Sequence, residues 1–381
     1  MMLSRRLIQD LWQRRNFWHQ LGWLALTPFS LAFSAVIRGR NLLYDLHFFP
    51  IEQLTLNVIS VGNLTVGGTG KTPLVLWLAR ALQNRGYRVG ILTRGYKGVT
   101  TDTEVTIVGT EGKPLATPTE VGDEAVMMAR LFAGVVVAGR DRIAASTLAR
   151  LNFGLDVMIL DDGFQYRRLQ RDVDILLIGG HRPDNHWLLP AGPLREPLTA
   201  AQRASMVIIT KSVEEAKNGQ HHFSHQRYVN SFAPIFYGDL VPTALVNSVH
   251  GEWQEQPLTQ LAGKRIVAVT GIATPAPFYR TLREWEADVV EVMEFPDHYE
   301  YTLADWQTII HTSRRSDLIV TTEKDLVKLE RFPFASGRLV ALRAHMRIEP
   351  AGQVLAAVEQ QFRYKRMNII DHGRSLPYQG S

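Results

Sequence analysis

The 381-residue chain contains no cysteine, which excludes disulfides, thiolate metal sites and cysteine nucleophiles. It has no internal repeat and no recognisable nucleic-acid module. A net charge of +5 is too small to argue for nucleic acid by itself, so no such partner is expected. Long hydrophobic runs are scarce too. The run 21–37 has 17 residues and contains Gly22 and Pro28, which is the short limit for a bilayer-spanning helix. With 45% hydrophobic and 21% charged residues the rest has the balance of a globular protein, and its length suffices for two domains.

What is present centres on residues 58–73, VISVGNLTVGGTGKTP. Val58, Ile59 and Val61 read as a buried parallel strand, Gly67, Gly68, Thr69 and Gly70 as a loop, and the segment from Pro73 as a helix. Strand, glycine loop, Lys71-Thr72 and helix together make a phosphate-binding loop, with Thr65, Val66 and the residues through Thr72 as its nucleotide contacts. Lys71 would neutralise the β- and γ-phosphates of ATP, and the Thr72 hydroxyl would hold Mg²⁺. The usual pattern has a glycine where this chain has Thr65. Downstream, an apolar strand over 156–162 ends in Asp161 and Asp162, the usual Mg²⁺-organising element, and either acid can be the direct ligand.

Strands and helices alternate over residues 55–210, which predicts a doubly wound, mainly parallel α/β sheet. The expected organisation is a membrane-associated segment over 1–45 and a phosphate-loop domain over 46–234. A smaller α/β domain over 235–349 and a loose tail over 367–381 follow, with a helix over 350–366 packing back on the phosphate-loop domain. Residues 1–45 carry six basic and two acidic residues, with Trp12, Trp18, Trp23, Phe29 and Phe33 interleaved. That pattern fits a helix or hairpin lying in a membrane surface, and basic flanks favour an anionic leaflet. A true span and a helix packed on the protein's own core are the alternatives. His221, His222 and His225 match no familiar ligand spacing, and a solvated loop accounts for them. Asp123 and Glu124 open a helix, where acids complement the helix dipole. Arg94, Arg140, Arg142 and Arg195 are candidate phosphate grips or structural ion-pair partners.

Taken together, these stretches resemble the tetraacyldisaccharide 4′-kinases of lipid A biosynthesis. The resemblance rests on VGNLTVGGTGKTP at 61–73, RGY at 94–96, VGDE at 121–124, AGRDR at 138–142, LDDGFQ at 160–165, PAGPLREP at 190–197, FPDHYEY at 295–301 and TEKD at 322–325. Ala125 and Tyr166 depart from it, since proline and histidine are common at those places. It implies ATP- and Mg²⁺-dependent phosphorylation of the 4′-hydroxyl of a tetraacyldisaccharide 1-phosphate, at the cytoplasmic face of the inner membrane; a monomer is expected, although no residue pattern fixes the oligomeric state. It further implies Asp123 as the base and His298 as its partner from the second domain, with Tyr96 and Glu196 lining the acceptor pocket. Glu323, Lys324 and Asp325 would serve the nucleotide or the domain interface. The alternative is a membrane-bound phosphate-loop switch ATPase without an acceptor, against which the separate second domain argues.

Overall fold

The computed structural model describes residues 8–374, apart from 9, 13–15, 97, 100–104, 180–184 and 211–227. The histidine cluster at 221–225 lies outside the described residues. In chain order the first elements are α1 (Phe17–Asp45), β1 (Asn57–Gly62), α2 (Lys71–Gln83), β2 (Val89–Thr93), β3 (Thr106–Thr110) and β4 (Lys113–Pro114). Next come α3 (Pro118–Val121), α4 (Asp123–Leu131), β5 (Val135–Ala138), α5 (Arg142–Phe153), β6 (Val157–Asp161), β7 (Val173–Gly179) and β8 (Met206–Thr210). The remainder holds β9 (Ile235–Val249), β10 (Glu252–Gln256), β11 (Arg265–Thr270), α6 (Ala276–Glu284), β12 (Asp288–Glu294) and α7 (Leu303–Thr312). Strand β13 (Leu318–Thr322), α8 (Glu323–Leu329), β14 (Leu339–Glu349) and α9 (Ala351–Arg374) close the chain.

These elements form two compact units. One, the loop unit, takes Pro28–Arg94, Asp141–Asp239 and Arg347–Ser381. Its parallel strands run in the order β8-β7-β1-β6-β2. Every residue of β1 is buried, as expected of a central parallel strand covered on both faces. The register pairs Val61 with Asp161, so the carboxyl ends of β1 and β6 bring the phosphate loop and the two aspartates side by side. Leu64, Phe164, Leu176, Leu194 and Val207 form a core cluster here, against which Phe33 and Ile37 of α1 pack. Ser30 is the buried residue of α1, and its hydroxyl donates to the Leu188 carbonyl at 2.7 Å. Phe17, Trp18, Phe29, Leu31 and Val36 on the same helix are exposed. At 29 residues α1 is long and apolar enough to cross a membrane, longer than the run of 17 suggested, because the helix starts at Phe17 and runs on past Arg38 and Gly39 to Asp45.

The other, the helix-pair unit, takes Met1–Thr27, Gly95–Arg140 and Leu240–Met346. Strands β12-β11-β13-β14 are parallel, and β9 with β10 makes an antiparallel hairpin. Two clusters fill it, one around Leu245, Ile266 and Leu282, the other around Val267, Tyr301 and Leu326. Helix α4 packs on α8.

Two sequence expectations need correction, and one element was missed. Residues 95–140, expected in the phosphate-loop domain, cluster with 240–346 because α4 buries its apolar side on α8. The β9–β10 hairpin was not foreseen, since Gly238 and Pro242 interrupt the β9 pattern. Helix α9 continues to Arg374 instead of loosening at 367, as residues 353–372 contain neither glycine nor proline.

Candidate active site

In the loop unit, the chain leaves β1 at Asn63, whose side chain organises the loop from within. Its Nδ2 donates to Thr69 Oγ1 at 3.0 Å, its Oδ1 accepts from Lys71 Nζ at 3.3 Å, and its carbonyl accepts from Gln165 Nε2 at 2.9 Å. The loop entrance is pinned to residues 193–195. Val66 N–H donates to the Pro193 carbonyl at 2.8 Å, Arg195 N–H to the Leu64 carbonyl at 2.7 Å, and Thr65 bridges Leu194 antiparallel. A bridged, extended residue needs no left-handed backbone, which is why threonine can stand where the usual loop has glycine. Gly67 and Gly70 do need it, with φ of 115° and 90°. Helix α2 starts at Lys71 rather than Pro73. Its N-cap is Gly70, which brings no side chain to the first N–H groups, and these are then available to an anion.

Asp161 is buried at the end of β6, and Asp162 follows it with φ of 54°, a left-handed conformation that a non-glycine residue rarely holds. The Asp162 carboxylate lies 3.4 Å from Lys71 Nζ and 2.6 Å from the Arg195 guanidinium. Burial favours its neutral form, but the charges of Lys71, Arg195 and Arg142 prevail and hold its pKa below the ordinary carboxylate value. Arg142 is buried and donates to the carbonyls of Asp161 (3.2 Å) and Asp162 (3.0 Å), over the Tyr166 ring. Burial weakens its hold on its proton, while the two aspartates oppose that.

These residues fit a hard divalent cation. Thr72, Asp161 and Asp162 offer oxygen donors alone, and buried Asp162 Oδ1 has an ion-pair partner in Lys71 but accepts no hydrogen bond. Among the described residues no group of three histidines or acids could hold a metal on its own, so phosphate oxygens would have to complete the shell.

In the helix-pair unit, Asp123 opens α4 and is buried. Its Oδ1 lies 2.9 Å from His298 Nδ1 and accepts from the Glu124 N–H at 2.9 Å, while its Oδ2 lies 3.0 Å from Lys328 Nζ. Burial pushes the carboxyl up, yet the His298 hydrogen bond and the charges of Lys324 and Lys328 outweigh it and hold the pKa well below the carboxylate range. His298 has φ of 57°, a second strained non-glycine backbone, and its ring centroid lies 5.1 Å from that of Tyr96. Asp123 and His298 belong to one unit, not to two domains as expected, so the pair is preformed within it. Gly122 fixes where Asp123 starts. Its φ is 87°, and a Cβ there would sit 2.4 Å from the Tyr96 carbonyl oxygen. Gly122→Ala is therefore expected to displace Asp123 or Tyr96 and to lower kcat by about tenfold to a hundredfold, read in a phosphate-transfer assay.

Lys328 is a charge that sequence reasoning missed. It stands four residues after Lys324 on α8, the spacing that puts two side chains on one helix face, and this was the available signal. Asn63 was missed too, although it lies inside the recognised motif.

The remaining candidates separate. Arg94, Arg140 and Tyr96 are exposed, whereas Arg195 is committed to Asp162. Glu196 requires correction. It has no exposed surface, and its carboxylate accepts from Asn41 at 3.0 Å and pairs with Arg40 at 3.3 Å and Arg203 at 2.8 Å. It is a buried tie between α1 and the core, not a wall of an acceptor pocket. Removing one partner of such a buried group is costly, so Glu196→Ala is expected to destabilise the fold by roughly 3 kcal/mol, read from the thermal midpoint in micelles.

The model of the family Tetraacyldisaccharide-1-P 4′-kinase matches residues 22–363. A tetraacyldisaccharide 4′-kinase of Syntrophus aciditrophicus is 41% identical over 338 residues, covering 86% of this chain and 90% of the relative. One from Halothermothrix orenii is 37% identical over 78% of this chain and 81% of its own length. Among solved structures, LpxK from Aquifex aeolicus in complex with ATP superposes with a TM-score of 0.75 at 35% identity, covering 89% of this chain and 99% of that one.

Proposed function

The chain belongs to the tetraacyldisaccharide-1-P 4′-kinase family, and from that premise we propose that it transfers the γ-phosphate of ATP to the 4′-hydroxyl of a tetraacyldisaccharide 1-phosphate. The backbone N–H groups of the loop through Thr72 and the Lys71 ammonium bind the phosphates and neutralise their charge. Asp123 takes the proton of the attacking hydroxyl, and His298 orients its carboxylate. Thr72 with Asp161 or Asp162 would hold Mg²⁺, which supplies electrostatic stabilisation of the phosphates when bound. Arg94 and Arg140 carry the exposed positive charge for the acceptor's 1-phosphate, and Tyr96 supplies an exposed ring beside His298.

The observation that carries this reading is the buried Asp123 carboxylate, kept ionised and bonded to His298 at 2.9 Å. Water and an alcohol must both lose a proton as they attack the γ-phosphorus, so the pair supports chemistry at that phosphate, and the family match favours a sugar hydroxyl over water as the nucleophile. The acceptor is amphiphilic, and the exposed aromatic and aliphatic side chains of α1 suit a membrane surface, taken here as the cytoplasmic face of the inner membrane. Incubation with ATP and the tetraacyldisaccharide 1-phosphate in micelles, followed by mass spectrometry and ³¹P NMR of the lipid, tests the reading. The expected product carries one added phosphate on the 4′-oxygen. An unmodified lipid with ATP consumed, or phosphate on another hydroxyl, contradicts it.

A further inference from the structure

Behind the Asp123–His298 pair stands a lysine whose contacts dictate more than charge. Lys324, in the first turn of α8, reaches Glu124 Oε1 at 2.9 Å, Asp297 Oδ1 at 3.1 Å and His298 Nε2 at 3.1 Å. Its ammonium carries three N–H donors and no acceptor, and these three partners use all of them. Two donors cannot face each other at such a distance, so Nε2 must present its lone pair to Lys324. A neutral imidazole whose one nitrogen accepts carries its proton on the other. That other nitrogen, Nδ1, is the one 2.9 Å from Asp123 Oδ1, a carboxylate that can only accept.

We infer that Lys324 is a positioning residue that locks His298 in the Nδ1-protonated tautomer, so that the ring is a fixed donor to Asp123 and takes up no proton itself. The inference deepens the proposed function and rests on Asp123 as base for its catalytic meaning. Of the other groups facing the ring, the Asp297 carboxylate alone would favour a proton on Nε2, and it stands beyond hydrogen-bond distance while Lys324 lies within it. Asp297 Oδ2 lies 3.9 Å from Nε2, Tyr96 stacks at a tilt on the ring, and Lys328 holds the far oxygen of Asp123. Burial disfavours the Lys324 charge, but Glu124, Asp123 and Asp297 outweigh it and strengthen its hold on the proton, so the lock is closed at neutral pH.

The step then balances without a histidine relay. The acceptor O–H bond breaks and its proton goes to the Asp123 carboxylate. The oxygen's electron pair forms the new bond to the γ-phosphorus. The bond from that phosphorus to the β–γ bridging oxygen breaks, and ADP leaves with the bridging electrons. Because Nε2 is engaged by an ammonium, His298 cannot accept the proton there while Lys324 is in place.

The test uses the full chain in detergent micelles with ¹⁵N-labelled histidine, the His298 signals being those that disappear in His298→Gln. Long-range ¹H–¹⁵N spectra of the wild type near neutral pH should show a proton on Nδ1 and none on Nε2. In Lys324→Met, Nε2 should gain a proton, and kcat for lipid phosphorylation should fall roughly tenfold to a hundredfold, as when an orienting partner behind a functional group is lost. Lys324→Arg keeps a cationic donor and should keep the Nδ1-protonated signature with most of the activity. A wild-type ring with its proton on Nε2, or on both nitrogens, overturns the inference even if Lys324→Met does not fold. So does a Lys324→Met spectrum unchanged from wild type. If the signature shifts as expected while Asp123→Ala still transfers phosphate at the wild-type rate, the lock stands and the assignment of the base falls.

Discussion

Lys71→Ala is expected to lower kcat/KM for lipid phosphorylation by roughly 10²–10³-fold, the usual cost of losing one preorganised donor to a transferring group. Lys71 is a half-buried cation in the first turn of α2, held between Asn63 Oδ1 at 3.3 Å and the Asp162 carboxylate at 3.4 Å. Its side chain is therefore pre-set at the loop and need not be ordered when phosphate arrives, which is where a fixed charge gains its effect. Lys71→Arg should not restore the activity. A planar guanidinium is larger than an ammonium, and its donors are spread over a fork that matches a carboxylate. Such a side chain would be captured by Asp162, as Arg195 already is at 2.6 Å. Initial rates with γ-labelled ATP, together with calorimetric ATP binding, check the prediction. Wild-type binding and wild-type turnover in Lys71→Ala would remove Lys71 from the reaction.

Asp123→Ala is expected to lower kcat by roughly 10²–10⁴-fold, the contribution of a positioned general base, with KM for ATP little changed. Asp123→Asn should do nearly the same, because the amide keeps the shape but accepts no proton from the hydroxyl. The pH dependence has a defined sign. The Asp123 pKa is depressed in the folded protein, so the base is ionised throughout the neutral range and its protonation removes activity only on the acid side. The acid limb due to Asp123 should therefore lie below the ordinary carboxylate value of about 3.9. An acid limb near neutrality that disappears in Asp123→Asn would mean the carboxyl is not held as low as its cationic neighbours require. The low pKa also limits Asp123 as a base in the ground state. Proton transfer must come late, when the hydroxyl oxygen has already begun to bond to phosphorus and its proton has become acidic, which suits a loose phosphoryl-transfer transition state.

How much of this was legible in the sequence follows from which interactions are local. The phosphate loop was legible because its glycines, Lys71 and Thr72 are consecutive and the flanking strand and helix carry their own periods. Asp161 and Asp162 were legible because they end an apolar strand. The membership of residues 95–140 was not, since the apolar side of α4 looks the same whichever core it covers, and its partner α8 begins at residue 323. The same distance hid Glu196. In sequence it is one acid in a proline-rich loop, and only the fold brings it to Arg40, 156 positions away. Thr65 was legible as an oddity but not as a bridge, because its partner Leu194 also comes from afar. His298 shows no special environment in sequence either. Its role came from the FPDHYEY motif, and its left-handed backbone and its contacts to Asp123 and Lys324 belong to the fold alone.

The most direct test of the account follows the label of γ-labelled ATP in micelles containing the tetraacyldisaccharide 1-phosphate, with wild type and Asp123→Ala run side by side. Label in the lipid is expected for the wild type, with a loss of at least about a hundredfold in the variant at ATP affinity close to wild type. Label released to water as free phosphate with none in the lipid, or equal lipid labelling by both proteins, would contradict it.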